Sequence, residues 1–213
     1  MSNEELIQGS EEWFASRVGK ITASRLGDIM RKTKWGESTY KAKVRLELAI
    51  ERITGKSASN VVMNQAMRDG VEREPDARAL FEAITGKEVA EVGSFNHPTI
   101  PNTSASPDGL IRGENACLEL KCPTHATHAK NLMSDTMPMN YIYQVQWQIA
   151  CTESDFAYFA SYHPDFPKDL RLKWVRVEKD DSVIKSLEEA VRQFDIEIED
   201  LIIKIQDGGN KNG

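Results

Sequence analysis

Apolar residues recur along this chain with two different spacings, and the spacing changes with position. Ile184, Leu187, Val191, Phe194, Ile198, Leu201 and Ile205 are three or four residues apart, which predicts a long amphipathic closing helix over about 182–206. Ala77, Leu80, Phe81 and Ile84 repeat the pattern and predict a helix over Pro75–Thr85, with Pro75 in its first turn and Gly86 as its stop. Residues 61–70 are a further helical candidate, with a break near Gly70 or Pro75. Other helices are predicted over Tyr40–Thr54, ended by Gly55, over Tyr141–Cys151, and from Thr22 to about Arg31, capped by Thr22 or Ser24. Between these, Val89–Phe95, Ser104–Cys122, Phe156–Tyr162 and Leu170–Val177 read as strands separated by turn residues. Helices, then strands, then helix, strand, strand and helix predict an α+β fold with an α/β-type core, a mixed sheet flanked by helices. The expected organisation is one domain over 1–213 with its core at about 61–177.

Composition alters this picture little. With 213 residues, 40% hydrophobic and 28% charged, the chain reads as an ordinary globular protein. No apolar run approaches the roughly 18 residues of a membrane span, and the polar, acidic start Met1-Ser2-Asn3-Glu4-Glu5 is unlike a signal peptide. Cys117, Cys122 and Cys151 form no CxxC pair, so reduced thiols and a cytoplasmic location are expected.

Charge changes the picture more. A net charge of −6 is unusual for a nucleic-acid partner, but segment 178–200 holds nine acids against three bases and so carries the whole imbalance. Segment 31–45 holds Arg31, Lys32, Lys34, Lys41, Lys43 and Arg45 against the single acid Glu37. Phosphates respond to the local field rather than the total. Two solvated faces would give the same pattern, so charge neither requires nor excludes DNA.

The chemistry is concentrated in Ser104–Pro123. Gly113-Glu114 suits the centre of a two-residue hairpin turn, a register in which paired numbers sum to 227 and Asp108 lies opposite Glu119. Opposite residues share a face with Cβ atoms roughly 5 Å apart, and Lys121, two residues on, projects from the same face. Leu118, Leu120 and Cys122 point into the core, leaving Glu119 and Lys121 displayed on the other side. Two carboxylates that close call for a cation between them, and a hard ion such as Mg²⁺ or Mn²⁺ suits all-oxygen ligands. A lysine beside it can orient or deprotonate an attacking water and neutralise charge growing on a phosphorane. The alternative is a hairpin with two surface acids and a lysine in an exposed ion pair worth little.

Pro107-Asp108, ten residues, then Glu119-x-Lys121 matches the PD-(D/E)xK signature of restriction-endonuclease-like nucleases. Around it stand Trp13-x3-Arg17-x-Gly19-x-Ile21-Thr22-Ala23-Ser24, Gly70-x3-Glu74-x-Asp76-Ala77-Arg78-x-Leu80-Phe81-Glu82, Ser106-Pro107-Asp108-Gly109 and Gln144-Val145-Gln146. In this order, over roughly Trp13–Val177, the chain resembles the lambda exonuclease (YqaJ-like viral recombinase) family. The resemblance implies a restriction-endonuclease-like mixed sheet and a 5′-to-3′ exonuclease that releases mononucleotides from a 5′-phosphorylated duplex end. Asp108, Glu119, Glu74 and the main-chain carbonyl of Leu120 would bind two Mg²⁺ ions, with Mn²⁺ as substitute; Lys121 would be the catalytic lysine, and Gln144 would help hold the site. Arg17, Ser24 and Ser106 would form the 5′-phosphate pocket, Met67 the wedge parting the end base pair, and Lys32 and Lys34 contacts to duplex backbone. The implied partners are double-stranded DNA ends and a single-strand annealing protein, the implied assembly a homotrimer, and the implied setting phage recombination in a bacterial cytoplasm.

From the residues alone, several choices stay open. Arg17 could pair with Glu11 or Glu12, Ser24 could be only a helix cap, and Met67 could be a core residue. Glu72 competes with Glu74, and Gln146 with Gln144. His125 and His128 have the spacing of metal ligands but no cysteine partner, and loop histidines are the simpler reading. A site-specific endonuclease or junction resolvase would share the core, and a non-catalytic DNA-binding recombination protein would keep the fold without needing Lys121.

Overall fold

The computed structural model describes residues 6–34, 36–58 and 65–210. The chain opens with α1 (Glu11–Arg17), started by Ser10, whose hydroxyl accepts a bond from the Trp13 N–H at 3.1 Å. None of its residues is fully buried, so it carries no apolar stripe for sequence periodicity to detect. β1 (Ile21–Thr22) leads through a 3₁₀ turn at Ala23–Arg25 into α2 (Leu26–Ile29), close to the predicted start at Thr22, although the Thr22 side chain makes no capping bond. β2 (Lys32–Thr33) and β3 (Gly36–Glu37) form a small hairpin. α3 (Thr39–Thr54) begins at Ser38 and ends at Gly55.

α4 (Gln65–Thr85) departs from expectation, because Pro75 lies in its interior and not in a first turn. A proline there leaves the carbonyl four residues back, at Val71, without its helical partner. Val71 and Pro75 are both on the exposed side, where water is available to that carbonyl, while Ala77 and Phe81 are fully buried against the sheet and hold the helix in line. Packing outweighs local propensity here.

Short strands follow: β4 (Val89–Ala90), β5 (Phe95–Asn96), β6 (Thr103–Ala105), β7 (Gly109–Ile111) and β8 (Ala116–Lys121). Next come α5 (His125–Leu132), a 3₁₀ turn at Met139–Tyr141, α6 (Ile142–Thr152), β9 (Phe156–Tyr162), β10 (Leu172–Glu178) and α7 (Asp181–Asn210). α5 places His125 and His128 on a helix, not on a loop. The main sheet has the order β10-β9-β8-β7-β4, with β8 and β9 parallel and the other pairs antiparallel. A second sheet, β1-β6-β5, pairs β1 with β6 in parallel, Thr22 beside Ser104. The result is a mixed α/β architecture with helices on both faces of the main sheet.

The β7–β8 hairpin has the expected register, Gly109 opposite Leu118 and Leu110 opposite Cys117. Its turn differs, since Glu114 N–H bonds to Ile111 O and Gly113 takes the left-handed φ of +80° as the third residue of the turn. The regular ladder stops at Gly109. Asp108 N–H reaches Leu118 O at 2.9 Å, and the Asp108 carboxylate accepts the Leu120 N–H at 2.6 Å.

β8 is covered on both faces, contrary to the expectation of one displayed face. Ala116, Leu118 and Leu120 pack with Ala77 and Phe81 of α4, while Cys117 packs with Val145 and Ile149 of α6. α6 also contributes Trp147 and Cys151 to a second core with Ile21, Leu26, Leu48, Leu187 and Phe194. It is therefore buried between two cores, and a buried polar group on it costs free energy unless it finds a partner inside the protein.

The basic and acidic segments meet in part, where α3 packs on α7. Lys41 and Arg45 of α3 both pair with Glu197 of α7, at 2.9 and 3.0 Å. Arg52 pairs with Asp195 and Glu199, at 2.6 and 2.7 Å. Two of the six bases of residues 31–45, Lys41 and Arg45, are thus neutralised within the fold by α7.

Gly109 permits the close approach of β7 to β4, since a Cβ there would lie 2.3 Å from Val89 Cγ1 and 3.1 Å from Ala90 O. Gly109→Ala should cost about 1–3 kcal/mol of stability through overpacking, read as a lower melting temperature by circular dichroism.

Candidate active site

The site forms where β8 ends. Glu119 is 1% exposed, and each of its oxygens accepts a bond from α6. Gln144 Nε2 donates to Oε1 at 2.6 Å and Gln148 Nε2 donates to Oε2. The Lys121 ammonium also bonds to Oε1. Asp108 is brought alongside by its bond to Leu120 N–H. Glu74 reaches the group from α4, held by Arg78 at 3.2 Å, and Arg78 itself pairs with Glu91 at 2.6 Å.

The electrostatics follow from crowding. Burial, and then the Glu119 carboxylate, push the Asp108 carboxyl well above its ordinary range. Glu74 is also raised, by burial first; Arg78 opposes the shift and Glu119 adds to it. Burial works against the Lys121 ammonium, but Glu119 and Asp108 outweigh it, so the lysine is held protonated above its usual pKa. Cys122, beside the site, is pushed up to about 12 by burial and by Glu74 and Asp108, which leaves it an inert thiol. Three carboxylates form an all-oxygen donor set whose mutual repulsion a hard divalent cation would relieve, so these residues fit such an ion.

Of the two acids left open on α4, Glu74 interacts with the carboxylate group and Glu72 is exposed. Of the two glutamines, Gln144 is at the site. Gln146 instead donates to Glu178 O at 2.8 Å and accepts from Asp180 N–H at 2.9 Å, tying β10 to α7. Gln148 escaped the sequence reading, although it lies four residues after Gln144 and so shares its helix face.

A second group of expected residues lies beside the first. Arg17 Nη1 donates to Ser106 Oγ at 3.0 Å, and its guanidinium sits 4.1 Å over the Trp13 ring. Burial and the nearby Arg25 lower the Arg17 pKa to about 10, still far above neutrality. Among the described residues Arg17 makes no ion pair with Glu11 or Glu12. Ser24 is exposed and lies against Thr22, their oxygens 3.3 Å apart, and among the described residues it makes no hydrogen bond to Arg17. Because Thr22 pairs with Ser104, Ser24 and Ser106 each follow two residues after paired positions on β1 and β6. Lys34 is exposed on the β2–β3 turn. The side chains of Lys32 and Met67 lie outside the described residues.

The histidines are accounted for by hydrogen bonds. His128 is buried between Ser161 Oγ and Leu170 O, each at 2.8 Å. His125 bonds to Asp165 at 2.8 Å and, with His163, brings three potential ligand atoms within 4.8 Å. Arg73 sits 3.2 Å from His163 Nε2, and its fixed positive charge opposes a cation there.

The fold that carries this site, a mixed sheet flanked by helices, is one this chain shares with solved exonucleases. It is 38% identical to an alkaline exonuclease, LHK-Exo, from Laribacter hongkongensis, over 96% of this chain and 100% of that one, with a TM-score of 0.87. The structure of LHK-Exo in complex with dAMP matches at the same identity with a TM-score of 0.88, covering 96% of this chain and 100% of that one. A phage-related exonuclease from Haemophilus somnus 129PT shares the fold, at 16% identity and a TM-score of 0.70, covering 87% of this chain and 96% of that one. No curated protein sequence matches the chain. Residues 12–155 match the YqaJ-like viral recombinase domain, and the chain belongs to that family.

The raised carboxyl pKa values have a thermodynamic consequence. A carboxyl whose folded pKa lies above its unfolded value contributes stability below the unfolded pKa and loses it as pH rises through the folded one. Metal-free protein should therefore melt higher as pH is lowered from neutral toward the carboxylate range. Asp108→Asn should raise the melting temperature in EDTA and reduce the further rise produced by Mg²⁺, both measured by differential scanning calorimetry.

Proposed function

We propose that this protein is a metal-dependent 5′-to-3′ exonuclease of the PD-(D/E)xK type. It degrades one strand of linear double-stranded DNA from a 5′-phosphorylated end and leaves a 3′ single-stranded overhang. The observation that carries the reading is the convergence of Asp108, Glu119, Lys121 and Glu74 at the end of β8, beside an Arg17–Ser106 pair suited to a phosphate. Family membership and the likeness to LHK-Exo support it, as does the dAMP complex of that relative, since dAMP is a deoxynucleoside monophosphate.

Asp108, Glu119, Glu74 and the Leu120 carbonyl would hold the divalent ions, with Mg²⁺ as the expected metal and Mn²⁺ as its substitute. When bound, such ions lower the pKa of water and neutralise charge on the phosphodiester. Lys121, held protonated, is suited to stabilising negative charge on the phosphorane and to orienting the attacking water. Gln144 positions Glu119. Arg17, with Ser106 and the nearby Ser24, takes the 5′-phosphate through a charged, forked donor and hydroxyls. Lys32, Lys34 and Met67 are assigned to duplex contact and strand separation. A homotrimer working with a single-strand annealing protein in phage-type recombination in a bacterial cytoplasm completes the reading; no helix among the described residues is long and apolar enough to cross a membrane.

The test is digestion of linear duplex carrying one 5′-phosphorylated and one 5′-hydroxyl end, with closed circular DNA alongside. The phosphorylated strand should be consumed to mononucleotides and the circle should survive. Cutting of the circle would instead identify an endonuclease on the same core. Lys121→Ala should lower the rate about 10²–10³-fold, whereas Arg17→Ala should mainly erase the preference for the phosphorylated end. Absence of cleavage in both Mg²⁺ and Mn²⁺ would refute the proposal.

A further inference from the structure

Gln148 is fully buried, and its amide nitrogen faces two acceptors from different parts of the site. One N–H reaches Glu119 Oε2, and the other points at the main-chain carbonyl of Ser106, 3.5 Å away. Among the described residues the Gln148 Oε1 atom has no hydrogen-bond partner. Rotating the amide to exchange its O and N would set that oxygen against a carboxylate, so the observed orientation is fixed by its acceptors. Ser106 is also the residue whose hydroxyl accepts from Arg17, at 3.0 Å. A continuous path thus runs from the Arg17 guanidinium through Ser106 and Gln148 to Glu119, joining two groups that the chain contributes from different elements.

The Gln148 end of this path acts on one oxygen of Glu119. Each carboxylate oxygen offers two acceptor positions. On Glu119, Oε1 already accepts from both Gln144 and Lys121, whereas among the described residues Oε2 accepts from Gln148 alone. The oxygen with a position left for a cation is therefore the one whose direction Gln148 sets. Groups that orient a metal-binding carboxylate in this manner affect affinity without touching the ion.

We propose that Gln148 is a positioning residue that mechanically couples the 5′-phosphate pocket to the metal-binding carboxylate, so that the occupied pocket and correctly aimed Glu119 favour one another. The inference rests on the nuclease reading above and assigns a task to a residue which that reading does not use. Coupling of this kind would link recognition of a proper DNA end to assembly of the site that cuts it.

The experiment compares wild type with Gln148→Met, which keeps the volume and removes both donors. Gln148→Asn is the second variant, keeping the amide but shortening its reach should the methionine form not fold. Two quantities are read: Mn²⁺ affinity by calorimetric titration without DNA, and the ratio of initial rates on 5′-phosphorylated and 5′-hydroxyl duplex ends. Mn²⁺ binding should weaken about tenfold, and the rate ratio should fall several-fold toward that of Arg17→Ala. Unchanged values for both overturn the proposal, and so does a change in only one, which would show the two sites to be independent. A wild type that cuts no DNA defeats the nuclease reading separately, and the Mn²⁺ comparison then decides whether Gln148 governs Glu119.

Discussion

An ionisable carboxylate sits almost out of reach of solvent at Glu119, and much of the local structure is arranged around that fact. An isolated buried charge costs far more than one side chain's packing can return, so it persists only where donors converge on it. Here the donors are Lys121 on the same strand and Gln144 and Gln148 on α6. α6 can supply them because it is clamped between two hydrophobic cores, by Val145 and Ile149 on one side and Trp147 on the other. The rigidity of the site thus comes from apolar packing, while its chemistry comes from the polar residues that this packing aims.

Too much negative charge at one place is itself part of the design. Asp108 and Glu74 are both raised by burial and by their neighbours, a state that a divalent cation would relieve and that folding alone does not. Stability given up at such a site in the free protein is a familiar companion of function. The tolerance of α4 for Pro75 belongs to the same account, since the helix that brings Glu74 to the sheet is held by Ala77 and Phe81 and not by unbroken backbone bonding.

Net charge is a poor guide to what this surface does. The acidic stretch of α7 faces Lys41, Arg45 and Arg52 of α3, and these pairs tie the closing helix to the helix before α4. Partly exposed pairs of this kind add little stability individually. Their larger effect is to neutralise part of the basic surface of α3 within the fold.

The sequence by itself determined the long amphipathic α7, the body of α3, the strand identity of β8, β9 and β10, and the β7–β8 register that sets Asp108 beside the Glu119 strand. All of these depend on local periodicity or on a short turn. It also marked Asp108, Glu119 and Lys121, because two-residue alternation and a hairpin place them together without any distant contact. Tertiary structure decided the rest. Whether Glu74 or Glu72, and Gln144 or Gln146, reached the site depended on how α4 and α6 rotate against the sheet, which spacing along one helix does not specify. Gln148 was hidden because a buried glutamine is recognisable only by the partner it finds. α1 and α5 were missed because neither carries a long apolar stripe, and α4 ran through Pro75 because packing from the sheet outweighed a missing hydrogen bond. Local order is written in the spacing of residues; convergence of residues far apart in sequence is set by which surfaces bury one another.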